Sequence, residues 1–187
     1  MACTLTSARG LACKDSVGGV KAIYLSDFDP TFFAGMTIAA GELTGIDDAQ
    51  AVFRYDVRPN SSGLAVEVSN EVAGSANYKA TLEVVLHKLT SADSVELQKV
   101  IQTRTFVYVM DANDKVYCMG LANGCVVEAS TMSIGTARTD LSGYTLTITA
   151  EENVFPQQVI ASVDSSEADY PFDAVTGTAS FTVTNPS

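Results

Sequence analysis

Alternation of apolar and polar side chains is the main pattern along this chain, and it predicts β-strands. Residues 51–57 and 64–68 both alternate with a period of two, as half-buried strands do. Between them, residues 59–63 read Pro-Asn-Ser-Ser-Gly, which is turn chemistry. The two runs are therefore predicted to form a β-hairpin. A third and longer alternating run covers residues 78–87.

A helix is predicted directly after the third run. Thr90 and Asp93 have the spacing of a capping box, in which the two residues satisfy backbone N–H groups at the start of a helix. Leu97, Val100 and Ile101 then share one face at helical spacing. These signals predict one short helix at about residues 91–103.

Further strands are predicted in the second half of the chain. Residues 105–110 are continuously apolar and are followed by an Asp- and Asn-rich turn and a second apolar run at 115–119. This pattern predicts a hairpin whose first strand is buried on both faces. Asn123-Gly124 marks a tight turn before another strand, residues 144–149 alternate apolar residues with threonine, and residues 159–161 add a short piece. The threonines are expected to face outward.

Together these elements predict a mainly β fold, an antiparallel β-sandwich or barrel with one short helix. Residues 1–162 are predicted to form the β-sandwich domain. That domain includes a long N-terminal loop at 28–48, because this segment contains Asp-Pro, Phe-Phe and three glycines with little periodicity. Residues 163–187, an acidic linker followed by a strand-like tail, are predicted to form a C-terminal arm.

The charge balance argues against tight nucleic-acid binding. The 187 residues contain 22 acidic and 11 basic side chains, which gives a formal net charge of −11 and a pI near 4.3. Neutralising phosphates requires a basic face, and this chain lacks the composition for one. No apolar run has the length of a signal peptide or of a membrane span. We expect synthesis in a cytoplasm and no membrane partner.

Metal sites and disulfides are not predicted from the cysteines. Cys3 and Cys13 are separated by nine residues, and Cys118 and Cys125 by six, whereas zinc ribbons use gaps of about two to four. His87 is the only histidine available as a further ligand. Free and mostly buried thiols are the expectation, although Cys3 and Cys13 would lie close together if the N-terminal segment loops back.

No catalytic signature occurs in the sequence. The chain has no Gly-x-Ser-x-Gly, no Gly-x-x-x-x-Gly-Lys and no His-Glu-x-x-His, and His87 is expected at the rim of a strand. The adjacent carboxylates 47–48 and 151–152 would point to opposite faces of a strand. The Asp-rich turn at 111–114 resembles a calcium loop but lacks the distant bidentate Glu, so a plain hairpin turn is expected. The prediction is a protein that is not an enzyme and has no cofactor or metal.

The order of elements in residues 86–156 resembles the second half of bacteriophage tail tube subunits. The resemblance lies in the helix that follows a long strand, the buried strand 106–110, the turn at Asn123-Gly124, and Gly135, Asp140 and Gly143-Tyr144 before the threonine-faced strand. It implies a β-sandwich whose inner sheet joins the sheets of neighbouring subunits into a closed barrel. It also implies stacked, hexameric rings in the virion tail that form the conduit for DNA ejection.

The resemblance also implies partners and contact residues. The expected partners are further copies of the chain and other tail proteins, while the tape measure protein and DNA pass through the lumen without specific binding. Loops and arms of tube subunits contact adjacent rings. On that basis the predicted contacts are Phe32 and Phe33 in the loop 28–48, Asn60 and Ser61 at the tip of the first hairpin, and Phe181 in the tail.

Acidic residues are the predicted lining of the lumen, namely Glu67, Glu71 and Glu83. A ring of six copies would carry a formal charge of six times −11, or −66, and carboxylates facing the lumen would repel DNA phosphates. An alternative is another virion part, such as a tail terminator, a capsid decoration protein or a fibre-attachment module. A sugar-binding or hydrolytic β-sandwich is a third hypothesis, and the absence of Trp and of a catalytic carboxylate pair counts against it.

Overall fold

The computed structural model describes residues 9–10, 16–70, 76–88, 90–160, 162 and 164–186. The fold is mainly β, which confirms the predicted class. The described strands are β1 (Val20–Asp27), β2 (Thr37–Ala39), β3 (Glu42–Ile46), β4 (Gln50–Asp56), β5 (Gly63–Asn70), β6 (Ala76–His87), β7 (Thr105–Asp111), β8 (Val116–Met119), β9 (Val126–Ser133), β10 (Gly143–Glu152), β11 (Gln157–Val159), β12 (Thr176–Gly177) and β13 (Phe181–Thr184). Two helices accompany them within the described residues, α1 (Pro30–Ala34) and α2 (Ser91–Gln102).

The strands form two sheets. The small sheet is antiparallel, with the order β5-β6-β10-β9. The large sheet has nine strands, with β12-β3-β11-β8-β7-β1-β4-β13 along its path and β2 attached to β3. Three of its pairings are parallel, namely β11 with β3, β12 with β3, and β13 with β4.

The large sheet curls until its two ends approach each other. β3 and β4 lie near opposite ends of its path, yet only residues 47–49 separate them in sequence. Likewise, only residues 178–180 separate β12 from β13, which are the two end strands. Links this short hold the ends of the sheet together, so it closes much of the way into a barrel.

Two hydrophobic cores follow from this arrangement. One lies between the sheets and contains side chains of β1 and β7 packed against β6 and β10, including Ile23, Val109, Leu82 and Ile148. The other fills the concave side of the large sheet and is rich in aromatic rings. Residues 106–110 contribute to both cores, so β7 is buried on both faces as its continuous apolar run predicts.

The predicted helix is confirmed and closes one end of the sandwich. The Thr90 Oγ1 atom accepts a hydrogen bond from the Asp93 backbone N–H at 3.1 Å, as an N-cap should. Leu97 is buried in the core between the sheets, and Val100 packs against it. The hairpin of β7 and β8 and the strand β10 are also confirmed.

The predicted hairpin of residues 51–57 and 64–68 is wrong. β4 pairs with β1 and β13 in the large sheet, whereas β5 pairs with β6 in the small sheet. Residues 57–62 therefore cross from one sheet to the other. The turn residues are present as predicted, but a crossover needs them as much as a hairpin does.

The long N-terminal loop and the C-terminal arm are both folded parts of the body. Residues 28–48 contain α1, β2 and β3, and the Asp29 carboxylate caps α1 by accepting the Thr31 N–H at 2.8 Å. Residues 164–186 supply β12 and β13 to the large sheet and place Phe172 in its core. The boundary predicted near residue 162 thus does not separate an arm from the domain.

Candidate assembly surface

One face of the small sheet is open to solvent and polar. Thr145, Thr147 and Thr149 of β10 alternate with buried Leu146 and Ile148, so the threonines face outward as predicted. The residues of β5, β6 and β9 that lie beside these threonines on the same face are mostly small or polar. Arg104, Asn123 and Gly124 border this face beside Thr149 and Glu151, and the opposite face packs against the large sheet.

Glu67 and Glu83, two of the predicted lumen residues, both belong to this exposed face. Glu67 on β5 lies opposite Lys79 on β6, and Glu83 lies opposite Thr147 on β10. The third predicted residue, Glu71, lies outside the described residues. The sequence alternation thus placed two acidic side chains on the same surface of the sheet.

The exposed face is acidic. Its described carboxylates are Glu67, Glu83, Glu128 and Glu151, and Lys79 lies among them. The Lys79 Nζ atom forms an ion pair with Glu128 at 3.5 Å. At this degree of exposure the pair adds little stability, but it turns the Glu128 carboxylate toward the middle of its own sheet. The remaining carboxylates leave the face with net negative charge.

Both outer strands of the small sheet have an unpaired edge within the described part of the chain. β5 is bonded only to β6, and β9 is bonded only to β10 among the described strands. Each is eight residues long, and each carries a single charged side chain, Glu67 or Glu128. β9 has one bulge, at Glu128, but neither strand contains the lysine or proline that often protects an open edge from pairing with another chain.

Apolar side chains are exposed along these two edges. Val68 on β5 is 52% exposed, Met132 on β9 is 56% exposed, and Ile134 directly after β9 is more exposed still. The helix α2 touches β9 but leaves most of the strand open. Open strand edges with exposed apolar side chains are able to pair with a further strand.

Two of the predicted contact residues are unavailable to another subunit. Phe32 is 3% exposed and Phe181 is 1% exposed, and their rings pack against each other at a centroid distance of 6.4 Å in the core of the large sheet. Phe33 is partly buried against the same core. The resemblance assigned contacts between subunits to the loop and the tail that contain Phe32 and Phe181, but the curled sheet encloses both rings.

Asn60 and Ser61, the remaining predicted contacts, lie in the crossover between the sheets. Asn60 is exposed and has a φ of 61°, a left-handed conformation that asparagine tolerates better than most residues. The Ser61 Oγ–H donates to the Arg58 carbonyl at 2.6 Å. Both residues therefore shape a tight turn at one end of β5, and their contact with another subunit stays a prediction.

In two Asp-containing turns, the aspartate accepts hydrogen bonds from backbone N–H groups of the same turn. Asp111 Oδ1 accepts the N–H groups of Asn113 and Lys115, each at 2.8 Å, which makes this segment a plain hairpin turn as predicted. Asp140 Oδ2 accepts the N–H groups of Thr136 at 2.9 Å and Ala137 at 2.8 Å. These bonds to the charged form lower the pKa of the Asp140 carboxyl. Asp140 thus holds the connection between β9 and β10 in shape.

A buried carboxylate, which sequence reasoning missed, holds the crossover from β8 to β9. Glu152 is buried, and its Oε1 atom accepts the N–H groups of Ala122 at 2.6 Å and Asn123 at 3.3 Å. The Asn123 side chain donates to the Glu151 carbonyl at 2.9 Å. The position of Glu152 as the next inward residue after Ile148 and Ala150 of β10 was the available signal, because burial of a carboxylate demands partners.

The described cysteine thiols have low reactivity. Cys118 and Cys125 are free and buried, as predicted, and burial raises the pKa of both thiols far above the ordinary value. Cys3 and Cys13 lie outside the described residues. No cluster of three or more His, Cys, Asp or Glu side chains suited to a metal ion occurs in the described ranges.

His87 lines an open groove of about 730 Å³ at the end of the sandwich. The groove also contains Asp56 and Asp93. The Asp56 carboxylate accepts the Arg54 Nε–H at 2.8 Å, and the Asp93 carboxylate accepts the hydroxyl of Thr90, the N-cap of α2, so both carboxylates serve structural contacts. Among the described groove residues, the hydrogen bonds of these two carboxylates go to Arg54 and Thr90, and neither carboxylate is bonded to His87.

Comparison with known proteins identifies no relative. No protein-family model, curated protein or solved structure matches this chain. Neither helix of the described ranges is long and apolar enough to cross a membrane. The geometry of the small sheet is thus the main structural guide to function.

Proposed function

We propose that this chain is a structural subunit of a phage tail tube, which assembles into stacked rings through the small sheet. The observation that carries the proposal is the combination of two open, apolar strand edges with an exposed, acidic and threonine-rich face on one sheet. Pairing each edge with a neighbouring copy removes both edges, and a closed ring leaves none.

Strand direction favours ring closure with the same interface repeated. In the order β5-β6-β10-β9 every neighbouring pair is antiparallel, so the two edge strands β5 and β9 run in opposite directions. When copies follow one another by rotation, β9 of one copy meets β5 of the next in antiparallel orientation. The ladder then continues around the ring without a change of type.

The size of such a ring suits a conduit for DNA. Six copies of the four-stranded sheet make 24 strands. With a strand spacing of about 4.8 Å and a tilt of about 35°, the circumference is about 140 Å and the backbone diameter about 45 Å. Side chains reach about 5 Å inward on each side, since facing sheets pack about 10 Å apart, which leaves an opening of about 35 Å. Duplex DNA fits within it.

The position of the rest of the protein supports one face of the small sheet as the inner face of the ring. The large sheet, the helices and both cores lie on one side of the small sheet, and six such bodies fit only on the outside of a ring. The face of Glu67, Glu83 and the threonines then lines the lumen. The negative charge of this face repels DNA phosphates, and the face has few aromatic rings on which bases could stack, so DNA passes without binding to it.

Electron microscopy and sedimentation of the purified full chain over a concentration series test the proposal. Rings or tubes with a central opening of about 35 Å, as estimated from strand spacing, are the expected result. A monomer at all concentrations, or a two-fold dimer that grows no further, would overturn the proposal. The virion parts considered as alternatives are distinguished by abundance, because a tube subunit is needed in many more copies than a terminator.

A further inference from the structure

The two edge strands of the small sheet lie at different heights along the strand direction. Positions on the two edge strands can be compared through β10, because β9 pairs with β10 directly and β5 pairs with it through β6. β5 begins level with Thr147 and extends past Glu152, whereas β9 spans only the levels from Gly143 to Thr149. Without a relative shift, β9 of one copy and β5 of the next would overlap in only a few residues.

We infer that β9 of one subunit pairs with β5 of the next after a shift of four residues, so that Met132 lies opposite Leu64. This inference rests on the proposed function and specifies its interface. In this register residues 129–133 pair with 67–63, and, after the bulge at residue 128, residues 127 and 126 pair with 68 and 69. Seven pairs form, which covers nearly the whole length of both strands.

Side-chain alternation restricts the shift to even numbers. An odd shift would bring apolar side chains to the exposed face, because the alternation of a strand has a period of two. A shift of two residues pairs only 126, 127 and 129–131 and leaves Met132 without a partner. Within the described residues, a shift of six pairs 127 and 129–133. A shift of four gives the greatest overlap between the described parts of the two strands and packs Met132 on Leu64 and Val127 on Val68.

The same shift produces the strand tilt of a closed barrel. Each copy advances four strands sideways, about 19 Å, while it moves four residues along the strands, about 13 Å, which tilts the strands by about 35°. Shifts of two and six residues give about 19° and about 46°, compared with the usual 35–45° of barrels. This tilt does not depend on how many copies close the ring.

The direction of the shift has the hand of natural barrels. On a strand running upward, an L-residue whose side chain faces the viewer directs its N–H to the right. Val85 lies on the exposed face and donates its N–H to Ser62 Oγ at 3.2 Å, directly before β5. Seen from that face with β5 pointing up, β5 is therefore at the left and β9 at the right.

To bring Met132 of one copy opposite Leu64 of the next, the copy on the right must be displaced downward along the strand direction relative to its neighbour. Viewed from outside the ring, the strands consequently rise to the right, which agrees with the right-handed twist of β-strands. The same shift with the buried face turned inward would give the opposite hand. The stagger thus independently favours the exposed face as the lining of the lumen.

Hydrogen bonding and charge agree with this register. The Val85 N–H points to β5 and the Lys88 N–H bonds to the Ser142 carbonyl at 2.9 Å, on the β10 side. Backbone N–H and C=O groups of successive residues point to opposite sides of a strand, and this alternation continues through the registers of the sheet. The N–H and C=O groups of residues 64 and 66 on β5, and of 130 and 132 on β9, therefore point to the free edges. The register joins these groups. It also sets Glu67 opposite Ala129, so two carboxylates are not directly opposed.

Engineered cysteines can measure the register. Thr131 and Ala65 form a non-hydrogen-bonded pair at a shift of four, where Cα atoms lie about 4.5 Å apart and a disulfide fits. The double variant T131C/A65C is compared with T131C/G63C, which reports a shift of two, and T131C/E67C, which reports a shift of six. Gly63 has open space for a side chain. The single variants and the unmodified chain control for the native cysteines.

Assemblies of the full chain are oxidised mildly and examined on non-reducing gels and by electron microscopy. The expected result is a ladder of cross-linked oligomers for T131C/A65C, at least tenfold stronger than for the other two pairs. Rings with strongest cross-linking in another pair, or in none, would overturn the register while the proposed function stands. Dimers from T131C alone would overturn it in favour of two-fold pairing of β9. Absence of rings in the unmodified chain would instead overturn the proposed function.

Discussion

Replacing Phe172 tests whether residues 164–186 are part of the folded domain. This ring is 1% exposed and lies at centroid distances of 5.2 Å from Tyr24, 5.1 Å from Tyr108 and 4.6 Å from Phe181. Phe172→Ala removes a buried ring from a site enclosed by strands, which costs about 3–5 kcal/mol of unfolding free energy. The aromatic pairs lost, at about 0.5–1.5 kcal/mol each, place the expected value in the upper part of that range.

Urea unfolding monitored by circular dichroism measures this loss. With a slope of about 2 kcal/mol per M, a loss of about 4 kcal/mol lowers the midpoint by about 2 M. Thermal unfolding should show a fall of roughly 8–16 °C for a chain of this size. A loss below about 1 kcal/mol would refute the reasoning, because surface substitutions cost about that little.

A matched control is available in Phe155, which is 51% exposed and stacks edge-on with Tyr78 at 5.4 Å. Phe155→Ala removes the same atoms from the surface, so it should cost no more than about 1 kcal/mol. Equal losses in the two variants would show that burial in the large sheet does not set the cost.

Three further predictions concern a buried carboxylate, an Asp turn and a strand edge. Glu152→Ala should lower the unfolding free energy by about 2–3 kcal/mol in urea unfolding because the Ala122 and Asn123 N–H groups lose a buried, charged acceptor, whereas Glu151→Ala should change it by less than about 0.5 kcal/mol. Asp140 has a lowered folded pKa, so its stabilisation is present above the ordinary value of 3.8 and lost as pH falls toward the folded pKa. The stability difference between the unmodified chain and Asp140→Asn should therefore shrink on acidification below about pH 4, and growth of the difference there would contradict the sign. Met132→Lys should prevent ring formation in electron micrographs, while Met132→Leu should preserve it and both monomers should unfold within about 0.5 kcal/mol of the unmodified chain.

The strands and the main helix could be predicted because their signals are local. A period of two over 78–87 and 144–149 reports which side chains face water, and the Thr90 cap marks the start of α2 directly. The outward threonines and the shared face of Glu67 and Glu83 followed from the same alternation. These features depend on neighbours within a few residues, so one sequence contains the information.

The failed predictions share a dependence on distant partners. Residues 59–63 have turn chemistry, but nothing in them records that β4 bonds to β1 while β5 bonds to β6. Phe32 and Phe181 lie far apart in sequence and meet only because the large sheet curls. Glu152 acquires its role from N–H groups thirty and twenty-nine positions away.

By itself the sequence determined that this protein is an acidic, mainly β chain with one main helix and a threonine-rich strand, because composition and alternation are written in consecutive residues. Only the tertiary structure decided that β5 and β9 are the open edges of one small sheet and that they are staggered along it. Edges and stagger are properties of strand order and register, which arise when segments far apart in the chain pair and bury a common core.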